Sequence, residues 1–150
     1  MATNFQQGSR HSGGRPQQER GPQIRVDDIK FSDKPDSRLF SDIAEEKARE
    51  VANGSGREAN KSSQLRRFYD ELVMWQEKVG SSDERFEELH PYIAMLKAKV
   101  AYSLGRKHVD ENFSLLMRTV IDQARDAKTL RQAKLFMEAF MAFYKVHKPS

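Results

Sequence analysis

Between Gln64 and Gly80, Leu65, Phe68, Leu72, Trp75 and Val79 recur at intervals of three, four, three and four residues. That rhythm follows the turn of an α-helix and sets all five side chains on one stripe. Ser62 or Ser63 can cap the start, and Gly80 stops the helix. At a rise of about 1.5 Å per residue such a helix spans roughly 24 Å, enough to cross a small domain. A chain of 150 residues carrying it can bury one helical core.

The same periodicity returns elsewhere with different punctuation. A helix is expected over residues 37–52, with Phe40, Ile43, Ala44 and Val51 inward, Asp36 as N-cap and Asn53-Gly54 at its end. Another covers 83–104 on Leu89, Ile93, Leu96, Val100 and Leu104, with Gly105 closing it. Pro91 either kinks that helix or opens a new segment at a first-turn position. A fourth, over 109–126, presents Val109, Phe113, Leu116, Val120 and Ala124. The fifth runs from Thr129 to about His147, and Thr129 and Gln132 have capping-box spacing. Ahead of them, Ile24, Val26, Ile29 and Phe31 are too interrupted by Asp27 and Asp28 for a strand, and suggest an extended strap against the helices. Residues 1–23 are mostly Gly, Gln, Arg, Ser and Pro, which cannot bury enough surface to offset the entropy of ordering. The expectation is an all-α fold: a compact bundle of about five helices over 24–150 as a single domain, behind a disordered polar tail at 1–23.

Two helices say more than this. On the last, Leu130, Ala133, Phe136, Met137, Phe140, Phe143 and Tyr144 fill one broad face. Leu135, Ala139, Ala142 and Val146 make a second apolar strip, leaving a narrow charged ridge of Arg131, Lys134, Glu138 and Lys145. A helix apolar almost all round is buried on both sides. It is therefore either central to the bundle or covered by another subunit. On the third helix, Tyr92, Met95, Lys99, Tyr102 and Arg106 share the face opposite the apolar stripe, with Lys97 on the flank and Lys107 beyond the glycine. Cations interleaved with aromatics at one-turn spacing suit a nucleic-acid strand, the cations meeting phosphates and the tyrosines stacking. The same residues also fit half-buried tyrosines beside cations that lie along apolar surface.

Charge favours a polyanionic partner for the C-terminal part. The net charge of +4 is uneven: residues 24–60 and 61–90 each carry −2, whereas 91–150 carry eleven basic against five acidic side chains. Catalytic chemistry finds no constellation. There is no cysteine, His11, His90, His108 and His147 have no ligand-spaced partner, and no phosphate-binding glycine loop occurs. An enzyme is not expected, nor a metal or other cofactor. No run approaches a membrane span and the N-terminus lacks an apolar signal core, so a cytoplasmic chain is expected.

Three segments, in order, carry a family resemblance: Gln64-Leu65-Arg66-Arg67-Phe68-Tyr69, Lys97-Ala98-Lys99-Val100-Ala101-Tyr102-Ser103-Leu104-Gly105-Arg106, and Phe136-Met137-Glu138-Ala139-Phe140-Met141-Ala142-Phe143-Tyr144-Lys145. Over about residues 37–148 the chain resembles the small subunit of the type III-A, or Csm-type, CRISPR effector complex of antiviral defence. The resemblance implies a non-catalytic all-α subunit, present in several copies beside the backbone and large subunits of a ribonucleoprotein filament. It would contact guide RNA and target RNA, with cleavage belonging to the backbone subunits. The matching basic positions are Arg66, Arg67, Lys97, Lys99 and Arg106; charge alone adds Lys61, Lys107, Arg131 and Lys134. Two other readings stay open. One is a helix-turn-helix regulator of duplex DNA, against which the length of the third helix and the lack of a short turn before it argue. The other is a protein-only scaffold whose cations are plain surface.

Overall fold

The computed structural model describes residues 21–54, 56 and 58–148, so most of the expected tail at 1–23 lies outside the described residues. The strap of residues 23–33 leads through a π-helical turn, Leu39–Ile43, into α1 (Ala44–Gly54). Then follow α2 (Ser62–Val79), α3 (Asp83–Gly105), α4 (Glu111–Gln123) and α5 (Ala127–His147), and no described residue forms a strand. The fold is all-α, as the periodicity requires.

α5 is the axle. It touches every other helix, and Leu130, Ala133, Phe136, Met137, Phe140 and Tyr144 are all fully buried. Their rings meet Phe31 at 6.0 Å from Phe136, Phe113 at 6.2 Å from Phe140, and one another at 5.5 Å between Phe140 and Tyr144. The broad apolar face is therefore core. The second strip emerges gradually: Leu135 and Ala139 are half-buried, while Ala142 is exposed and Val146 is 70% exposed.

The strap is extended without being a strand, because side chains rather than a ladder satisfy its backbone. Asn112 Oδ1 accepts from the amides of Gln23 and Ile24, and Gln123 Oε1 accepts from Phe31. Arg125 donates to the Phe31 carbonyl, while Gln132 both accepts from and donates to Ser32. Gln132 is thus a strap-binding residue rather than a cap. Ile24, Ile29 and Phe31 bury their side chains beneath, and the fully buried Lys47 ammonium pairs with Asp28 at 2.9 Å. Burial pushes the neighbouring Glu50 carboxyl above its ordinary value. Gly54 allows the close approach at the strap's start: a β-carbon there would lie 2.7 Å from the Asn112 amide nitrogen.

Helix starts differ from the expected ones in instructive ways. α5 begins at Ala127, because Asp126 accepts from the Thr129 amide and the Thr129 hydroxyl accepts in return from the Asp126 amide; Thr129 closes the box from inside. α4 begins after Asp110, which caps the Phe113 amide, and ends at Gln123. The first helix starts two residues late as the π turn, which buries both Leu39 and Ile43; Asp36 accepts from the Arg38 amide just ahead of it. α3 runs unbroken through Pro91.

α2 has Lys61, not a serine, at its N-cap position, with no side-chain cap. The preceding residue explains why. Asn60 is fully buried with φ +62°, its amide bonded to the His108 carbonyl and its Oδ1 accepting from the Asp110 amide. Its own carbonyl accepts from the Tyr144 hydroxyl, so one residue fixes the entry to α2 against α5 and the α3–α4 turn. Asn60→Ala should cost about 2–3 kcal/mol in urea unfolding, because it loses the acceptor and leaves in the left-handed region a residue that tolerates it less well than asparagine. Asn60→Gly, which keeps the backbone freedom, should cost only about 1–1.5 kcal/mol.

A three-residue turn, Gly80–Ser82, joins α2 to α3, where Gly80 and a helix start at 83 put it, so the lack of a short turn no longer counts against a helix-turn-helix. It makes an antiparallel hairpin in which Trp75 stacks on Tyr92 at 6.2 Å and Glu71 meets Lys99 at 3.0 Å. Gly80 takes φ +61° to reverse the chain, and Ser82 caps the Arg85 amide.

Candidate nucleic-acid interface

Adjacent residues on a helix point about 100° apart, so Arg66 and Arg67 leave α2 on different sides. Arg67 faces α3. There it lines a groove of about 420 Å³ with Gln64, Phe68 and Glu71 from α2, Ala98, Lys99, Tyr102 and Ser103 from α3, and His108 from the turn beyond. No hydrogen bond or ion pair engages its guanidinium among the described residues. Lys99 donates to both carboxylate oxygens of Glu71 at 3.0 Å. Arg106 donates to the Tyr102 hydroxyl at 2.9 Å and stands 5.7 Å from that ring's centre. Tyr102 itself is 64% exposed, and Tyr92 and Met95 continue its line along α3 at 57% and 52%. The structure thus joins Arg67, Lys99 and the exposed Tyr102 ring along one open groove, with Arg106 held to the Tyr102 hydroxyl at its edge.

Just past α3, Lys107 ends the helix in an unexpected way. The Lys107 amide bonds to Leu104 and the His108 amide to Ser103, the pattern of a glycine-type helix ending, and Lys107 takes φ +65° at the position where glycine is usual. Gly105 remains inside the helix. Lys61, one turn before Gln64 on α2, is exposed and pairs with Glu58 at 3.7 Å.

Arg66 faces α5 instead. It lines a second groove of about 550 Å³ with Ser62, Ser63, Tyr69, Glu138, Met141, Ala142 and Lys145, and lies 3.9 Å from Asp70 on its own helix. Lys134 sits alongside, donating to Glu138 at 3.0 Å. Burial pushes the Tyr69 phenol above its ordinary value, and the nearby Glu138 carboxylate adds to the shift. Lys97 is on the opposite flank of α3 from Lys99, bonded to Asp122 of α4 at 2.6 Å. Arg131 lies with Lys128 in a third groove at the other end of the bundle, beside Gly80, Ser81 and Asp83. The nine basic positions therefore divide between grooves and flanks.

Gln64, Ser103 and His108 join the first groove without having stood out in the sequence. Gln64 and Ser103 are uncharged, and only the turn after α3 brings His108 back toward α2. Charge is also polar along α3: its first turns carry Asp83, Glu84, Glu87 and Glu88 against Arg85, all exposed, while Lys97 and Lys99 lie in its second half and Arg106 just past its end. No described group of His, Cys, Asp or Glu could hold a metal ion, and no described helix is long and apolar enough to cross a membrane.

The model of the family described as Csm2 Type III-A matches residues 34–150. No curated protein and no solved structure matches the chain. The match takes in all five helices, both grooves beside α2 and the three segments whose resemblance pointed the same way; the chain belongs to the Csm2 Type III-A family and is a small subunit of the type III-A CRISPR complex.

Proposed function

We propose that this subunit grips RNA by its sugar–phosphate backbone and catalyses nothing itself. The observation that carries the reading is the α2–α3 groove, where Arg67 and Lys99 lie beside the exposed Tyr102 ring and Arg106 is held to its hydroxyl. Guide RNA and target RNA are the partners, together with other copies of the chain and the backbone and large subunits, in the cytoplasm. A subunit repeated along a variable guide must not read bases, or it would restrict the permitted targets. Phosphate contacts and stacking give grip without letters, and base pairing supplies specificity. Arg66, Lys134 and Lys61 extend the basic surface around α2. Lys107 extends it past α3, while Lys97 and Arg131 are contacts only for RNA that leaves the groove.

The polarity of α3 weighs against a duplex-DNA regulator. A recognition helix presents its N-terminal residues to base edges, and here those residues are acidic. The antiparallel α2–α3 hairpin also differs from the steep crossing of a helix-turn-helix pair. A gel shift with the full chain tests the reading. It should show weak binding to single-stranded RNA regardless of sequence, falling with salt at a log–log slope of about −0.7 per phosphate contact. Strong, sequence-selective retention of duplex DNA would favour the regulator instead. Weak single-copy binding is expected because tethered copies multiply the grip.

A further inference from the structure

Glu71 is the one acidic side chain in the α2–α3 groove, and its place there is specific. Both of its carboxylate oxygens lie 3.0 Å from the Lys99 ammonium, and one also accepts from the Trp75 indole at 3.1 Å. The indole anchors the carboxylate, and Trp75 is itself stacked on Tyr92. Glu71 is 22% exposed and Lys99 49%, so the pair is open to a competing anion. A carboxylate offering two oxygens to an ammonium presents what a phosphate would present. We infer that Glu71 is an internal stand-in for a phosphate, a positioning residue that occupies the Lys99 seat in the free subunit and lowers its affinity for RNA. This rests on the α2–α3 groove being the RNA surface.

The consequence is selectivity. A lone subunit with all three groove cations exposed would collect any cellular RNA; one whose central cation is already neutralised holds RNA only where several copies act together. The cost to the fold is small, since a partly exposed pair of this kind contributes little to stability.

The test uses the full chain and fluorescein-labelled poly(U) RNA, read by anisotropy. Glu71→Gln keeps the shape and the acceptor for Trp75 but removes the charge, and should tighten binding roughly three- to tenfold. Asp122→Asn is the charge-matched comparison, because it frees Lys97 on the opposite flank of α3. It should change binding less than about twofold. Lys99→Gln should cost less than about twofold in the wild-type chain, where its charge is already held, and roughly three- to tenfold in the Glu71→Gln background. Equal tightening by both acid-to-amide variants would reduce the effect to net charge and overturn the inference. So would a Glu71→Gln chain that binds no better than wild type while Arg67→Glu still weakens binding. If Glu71→Gln does not fold, a large loss from Lys99→Gln alone overturns it. Should no wild-type binding be seen and Arg67→Glu change nothing, the groove itself fails as the RNA surface, taking the inference with it.

Discussion

Phe140→Ala should destabilise the chain by about 3–5 kcal/mol, a large share of the 5–15 kcal/mol available to a domain of ordinary stability. The ring is fully buried and lies between Phe113 of α4 and Tyr144 on its own helix, 6.2 and 5.5 Å away. Close-packed neighbours on both sides leave a cavity little room to collapse, which is what places the loss at the upper end for such truncations. Val146→Ala, one and a half turns later on the same helix, should change stability by less than about 0.5 kcal/mol because its side chain already meets water. Urea unfolding of the two variants separates the faces of α5. A small loss from Phe140→Ala would mean that α5 is not the axle of the isolated chain.

That contrast also shows how far the amino-acid order carries. Five helices were legible because their apolar stripes are long and regular; Leu65 to Val79 needs nothing but the turn of a helix to be understood. The centrality of α5 was half legible: an all-round apolar helix must be covered, but whether by its own bundle or by another subunit depends on where α1 and α2 dock. Local starts were less legible, because long-range partners decide them. Lys61 takes the cap position of α2 on account of Asn60, which is set by His108, Asp110 and Tyr144, far along the chain. The left-handed residue after α3 is Lys107 rather than the glycine two places earlier. The pairing across the Gly80–Ser82 turn was hidden for a related reason: α2 and α3 form a hairpin through Glu71, Trp75, Tyr92 and Lys99, contacts that no single stripe announces.

The basic positions were legible as residues and not as a surface. Two steps along a helix turn a side chain about 200°, so Lys97 was already legible on the flank away from Lys99; what was not legible is that Asp122 holds the one and Glu71 the other. Arg66 and Arg67 part in the same way. What the sequence could not supply was the neighbour across each groove, and the neighbour decides whether a cation is open, held or buried.

The largest functional effect is expected from reversing the open groove while leaving the flanks alone. Arg67→Glu, Lys99→Glu and Arg106→Glu together replace two open attractive charges, and a third already held by Glu71, with repulsive ones along the hairpin. All three side chains are exposed, so the fold should melt within a few degrees of wild type. RNA affinity of the full chain should fall roughly a hundredfold, and the log–log salt slope should flatten by about 1.4, the share of the two open cations. Reversing Lys97 and Arg131, which are equally basic but lie outside the groove, should produce a far smaller change.

The decisive measurement is made in the assembled particle. The wild-type, groove-reversed and flank-reversed subunits are each co-expressed with the other subunits of the complex, purified, and assayed for RNA bound per protein particle. Cations of the α2–α3 groove holding the strand predict a particle depleted of RNA only in the groove-reversed case, with the flank-reversed one near wild type. RNA content unchanged by the groove reversal, in a folded and incorporated subunit, would contradict that account and leave the subunit a protein scaffold.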